Sequence, residues 1–143
     1  MPRFQKSIDM NVPPEKAYAY LSDIRNHADW SSHGLKVEMT SPEPVAVGST
    51  FSSTGNQMGE HKGIVTIAEL IPNKKIVYES SDDTGKMRHA FELAAQNGGT
   101  RVTKSFETVK TGLLLTVFRP MMYIVQPSML NKDLTAIKAK LES

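Results

Sequence analysis

Cysteine is absent from the 143 residues, and tryptophan occurs once. Without a thiol there is no disulfide framework, no thiolate nucleophile and no thiolate metal ligand, which fits a reducing compartment. Charge of one sign is scarce too, since 17 basic side chains against 15 acidic ones leave a formal net charge of +2. That excess is small, and the basic residues are scattered over strands and turns, so no nucleic-acid groove is expected. Long apolar runs are missing as well. The most apolar stretch, Gly112 to Leu130, contains Arg119, Pro120, Gln126 and Pro127. A membrane span needs about 20 mostly apolar residues, so a buried or partly buried helix is expected there and no stable membrane insertion. Met1 to Ser7 holds no apolar core ahead of a small-residue cleavage site, so no secretory signal is read and a cytoplasmic location is expected. Neither a Gly-x-Ser-x-Gly elbow nor a glycine-rich phosphate loop occurs.

What is present is an ordinary globular balance of 39% hydrophobic and 22% charged residues. The length suits one domain over residues 1–143, burying roughly 68–70% of the surface of the unfolded chain. Phe4, Lys6, Ile8 and Met10 share one parity, which predicts a half-buried strand. Pro13, Pro14 and Glu15 then suit a helix start, and Ala17, Tyr18, Leu21 and Ile24 have helical spacing. Asp23 to Trp30 predicts a second short helix or a helical turn. From Leu35 onward, β-branched or alternating runs are punctuated by turn chemistry. Strands are expected over Leu35–Thr40, Gly48–Thr54, Lys62–Leu70, Lys75–Ser81, Met87–Ala95 and Arg101–Val109, with Asn97-Gly98 as a hairpin signal. Met122, Val125, Met129, Leu130, Leu134, Ile137 and Leu141 then recur at helical steps, with Lys132, Asp133, Lys138, Lys140 and Glu142 assigned to the other face. Pro127 predicts a kink within that helix. The architecture is therefore α+β: a seven-stranded curved antiparallel sheet around one long C-terminal helix, with two short helices after the first strand.

The stretches Ser7–Tyr18, Leu21–Trp30, Phe91–Leu93 and Gly99–Glu107 resemble the START-like (SRPBCC) superfamily, most closely its polyketide cyclase/dehydrase and lipid-transport family. The resemblance spans nearly the whole chain. It implies a helix-grip fold with an elongated hydrophobic pocket beneath the long helix, without choosing between binding and catalysis. It also implies an aromatic residue at the position of Lys104, so the lysine points to an altered pocket.

Parity supplies the candidate site. Met87, His89, Phe91 and Leu93 share a face, as do Val102, Lys104 and Phe106 on the next strand. His89 and Lys104 are polar residues on apolar stripes. They could orient a ligand carbonyl, phenol or carboxylate, and in an enzyme His89 would move protons while Lys104 or Tyr78 polarised a carbonyl. The structural alternative makes His89 a satisfied core or rim histidine and has Lys104 snorkel to water at the sheet end. Trp30, Tyr78, Met122, Tyr123 and Met129 complete the candidate lining, each also readable as packing. His27, Asp29 and His33 do not have the spacing of a metal-ligand frame, and no cofactor is expected. The expected function is binding of a small hydrophobic molecule, such as a lipid, polyketide or isoprenoid compound. The alternatives are a polyketide aromatase/cyclase or dehydratase, and a protein-interaction domain whose pocket has collapsed. A homodimer is a further possibility.

Overall fold

The N-terminal alternation becomes β1, Arg3–Met10. Helix α1, Pro14–Leu21, opens on a proline whose missing N–H would be unpaired in the first turn anyway. The following segment is a 3₁₀ helix, Ile24–Asp29, rather than an α-helix. Its period of three stacks Ile24 and His27 on one face, and both are completely buried. The remaining elements are β2 (Lys36–Met39), β3 (Thr50–Gly55), β4 (His61–Ile71), β5 (Lys75–Asp82), β6 (Gly85–Gln96), β7 (Gly99–Thr111) and a long helix α2 (Arg119–Glu142). This computed structural model describes residues 3–29, 36–55, 61–82, 85–111 and 119–142.

All seven strands lie in one antiparallel sheet of order β1-β7-β6-β5-β4-β3-β2. Strands β2 to β7 form a meander in chain order, and β1 closes against the far side of β7. The late strands run longer than the alternation alone predicts. Asn97 (φ 49°) and Gly98 (φ 80°) complete the turn between β6 and β7 by themselves, so Gly99 and Thr100 are already paired with Gln96 and Ala95.

The sheet curves around α2. Phe51, Val65, Ile67, Ile76, Phe91 and Val102 from its concave face pack with Leu134, Ile137 and Leu141 of the helix and with Ala17, Leu21 and Ile24. Burying each large side chain contributes about 1.5–3 kcal/mol. A smaller cluster of Phe4, Phe106 and Leu130 lies beside it, with Met87 packed against it. The end of α2 is lashed to the first strand: the Lys138 ammonium donates to the Asp9 carbonyl (3.0 Å), and Glu142 accepts from the Asn11 N–H (3.3 Å). One sequence expectation is corrected here. Asp133 does not belong to the polar face of α2 but is buried with Leu130, Leu134 and Ile137, to which it stands at steps of three, one and four residues. No helix among the described residues is long and apolar enough to cross a membrane.

Candidate functional site

Register places the inward-facing side chains of β5, β6 and β7 in rungs across the sheet. Ile76, Phe91 and Lys104 stand abreast in the first. Tyr78, His89 and Phe106 form the second, extended by Phe4 of β1. Ser80, Met87 and Thr108 form the third. The candidate residues scattered over three strands therefore converge on one patch of the concave face.

The second rung is a run of rings. His89 lies flat on Tyr78, with centroids 4.7 Å apart and planes at 11°, and its other neighbour Phe106 is 5.2 Å away. Phe106 in turn meets Phe4 at 6.2 Å. From above, the 3₁₀ helix inserts His27 edge-on against Tyr78 (5.2 Å) and Phe91 (5.7 Å). His27 Nε2 donates to the Leu21 carbonyl at 3.0 Å, which fixes its tautomer. Burial holds the His27 pKa down at about 3, opposed by that hydrogen bond and reinforced by the positive charge of Lys104.

Lys104 is also buried, at 5% exposure, with its ammonium 5.7 Å from the centre of the Phe91 ring. It sits inside the core and does not snorkel to water at the sheet end. Burial lowers its pKa, while the carboxylate of Asp133, reaching down from α2, acts in the opposite direction. Burial, and secondarily Asp133, raises the pKa of Tyr78, so its phenol stays protonated. The first two rungs thus hold a phenol and a buried lysine within the electrostatic reach of one carboxylate.

Burial is graded along the concave face. Ile76, Phe91 and Val102 are completely sealed, whereas Ser80, Met87 and His89 are only half-buried. At this open end Ser80 Oγ and His89 Nε2 share a hydrogen bond of 3.0 Å. The inward Thr108 hydroxyl is buried and meets no hydrogen-bond partner among the described residues. On α2, Met129 is half-buried next to Leu130. Met122 and Tyr123 lie on the same helix, but their side chains are outside the described residues, as is all of Trp30. Among the described residues no three His, Asp or Glu side chains come together to hold a metal ion.

Sequence reasoning did not assign His27, Ser80 or Asp133 to this region. The spacing of Leu21, Ile24 and His27 at steps of three carried the first signal, and the place of Asp133 on the Leu130–Ile137 stripe carried the last. Ser80 shares parity with Ile76 and Tyr78 but has no chemical signature until its cross-strand neighbour is known.

A family model described as "Activator of Hsp90 ATPase homolog 1-like protein" matches residues 11–119. An uncharacterised protein of Mycobacterium tuberculosis is 27% identical over 129 residues, covering 83% of this chain and 74% of that protein. A solved structure of the protein CV1439 from Chromobacterium violaceum superposes with a TM-score of 0.75 at 19% identity, covering 100% of this chain and 99% of that one. The Zhui aromatase/cyclase from Streptomyces sp. R1128 gives a TM-score of 0.79 at 16% identity, covering 99% and 93%. At such identities the structural likeness establishes the helix-grip fold.

Proposed function

The chain belongs to the Activator of Hsp90 ATPase homolog 1-like family, within the START-like superfamily, and from that premise we propose that it binds a small hydrophobic molecule between the sheet and α2. The observation that carries this reading is the gradient of burial along the concave face. One end is sealed by α2, while the other keeps Ser80, Met87 and His89 half-open beside the buried Thr108 hydroxyl. Apolar walls with a few convergent polar groups are the usual composition of a ligand site. The ligand is a fatty-acyl, polyketide or isoprenoid compound. Phe106, Met87 and Met129 supply apolar contact, and His89 supplies the polar contact that sets orientation. The protein acts in the cytoplasm, with residues 1–143 folding as one domain.

A second reading has its own support in the named Streptomyces aromatase/cyclase, which shares this fold. In that reading the pocket cyclises or dehydrates a polyketone, with His89 moving protons and Lys104 or Tyr78 polarising a carbonyl. Native mass spectrometry of protein purified from its own host tests the binding reading. A co-purifying small molecule lost on denaturation is expected. Ligand-free protein that also ignores apolar fluorescent probes would leave the collapsed-pocket, protein-interaction reading instead.

A further inference from the structure

We propose that Ser80 and His89 form a nucleophile–base pair that accepts an acyl group from an activated ester or thioester entering the pocket. The inference rests on the reading of a ligand pocket and adds a reaction class to it. The pair lies on adjacent strands, and the 3.0 Å contact between Ser80 Oγ and His89 Nε2 is within the reach required for proton abstraction. The imidazole is pre-oriented, because Tyr78 stacks on it at 4.7 Å and Phe106 borders it at 5.2 Å. Of the two ring nitrogens, Nε2 is the one that meets Ser80, so it is the one that takes the proton. Both side chains are half-buried on the open end of the concave face, where an acyl carbonyl can approach. Nucleophile–base pairs are recognised by such geometry and not by chain position, so the absence of a nucleophile elbow does not bear on this one.

The step balances with water as the only co-reactant. The Ser80 oxygen bonds to the acyl carbon and its proton passes to His89 Nε2. The bond from the acyl carbon to the leaving oxygen or sulfur breaks, and His89 returns the proton to the leaving group. Water, deprotonated by the same nitrogen, then releases the carboxylic acid and restores Ser80. Strand β5 is paired on both sides, so its N–H groups are committed to the sheet and do not cradle the oxyanion. Acylation and deacylation are therefore both slow, and the adduct is read by mass under excess ester.

The test uses p-nitrophenyl butyrate with intact-mass and peptide-mapping readout. Wild-type protein is expected to gain one butyryl group on Ser80 with matching release of p-nitrophenolate. Ser80→Ala removes the adduct, Ser80→Cys retains it as a thioester cleaved by hydroxylamine, and His89→Gln slows acylation at least about 100-fold. Absence of the adduct, its appearance on lysine, or unchanged release by a folded Ser80→Ala overturns the proposal. Should Ser80→Ala fail to fold, the mapped site in wild type and in Ser80→Cys decides. Binding of 1-anilinonaphthalene-8-sulfonate, measured on the same samples, separates the two readings. Dye binding without acylation removes the nucleophile–base pair alone, whereas absence of both removes the pocket.

Discussion

A histidine sealed beneath a 3₁₀ helix can keep only its neutral form, and the pKa of His27 is held near 3 by that burial. The unfolded chain titrates near 6.5, so between these values it binds a proton that the folded chain refuses. The contribution is fully present above about pH 6.5 and is lost as pH falls toward 3. At pH 5 the loss relative to pH 7 is about 2 kcal/mol, at about 1.4 kcal/mol per unit. Urea unfolding at both pH values is expected to show it, and His27→Gln, which keeps a donor for the Leu21 carbonyl without titrating, to flatten the dependence. Lys104 and Asp133 make the complementary case. Lys104→Met leaves the buried Asp133 carboxylate without the opposing lysine and is expected to cost about 3–5 kcal/mol. The double variant Lys104→Met, Asp133→Leu should recover most of that loss, and equal losses in single and double variants would deny the coupling. These residues also mark where sequence reasoning ran out. Parity set Lys104 and His89 on the inner face, because strand alternation is geometric. It could not supply Asp133, whose charge suggested the solvent side although its spacing matched the apolar stripe.

Elements were more legible than contacts, and the β6–β7 hairpin shows why. Asn97-Gly98 names its own turn through the positive φ both residues adopt, and the turn then fixes the register of twenty-odd residues. The short helices were less legible, since at eight and six residues neither is stable alone and packing decides their type. Two glycines of the hairpin separate two causes of strain. Gly98 has open space around it but a φ of 80°, so Gly98→Ala is expected to cost about 1–2 kcal/mol through the backbone alone. Gly99 has an ordinary φ, but a Cβ there would run into the Met10 carbonyl, where β1 joins β7. Gly99→Ala is expected to cost about 1–3 kcal/mol through a forced shift of β1. Amide exchange distinguishes them: Gly99→Ala should loosen Ser7 to Met10, whereas Gly98→Ala should leave β1 protected.

At the scale of the whole molecule, the two ends of the chain close on each other. Strand β1 pairs along β7, with Asp9 bound to Arg101 at 2.9 Å, and the last turn of α2 reaches back to Asp9 and Asn11. The Thr100 hydroxyl, buried, donates to the Val12 carbonyl at 2.7 Å and ties the turn after β1 to the same corner. Freeing either end uncovers the cluster that joins Phe51, Phe91 and Val102 to Leu134 and Ile137, so neither half of the sheet has a core of its own. One cooperative transition is the consequence. Thermal melts followed by far-UV circular dichroism and by the fluorescence of Trp30, the only tryptophan, should coincide, and separated midpoints would mean two units. The same closure bears on the proposed ligand. A molecule lodged at the open end, against Met87 and Phe106, bridges the sheet to the part of α2 around Leu130 and Met129 and binds only while the ends are docked. It therefore stabilises the whole fold, by about 2.7 kcal/mol at a hundredfold excess over its Kd, and should shift both melts together without splitting them.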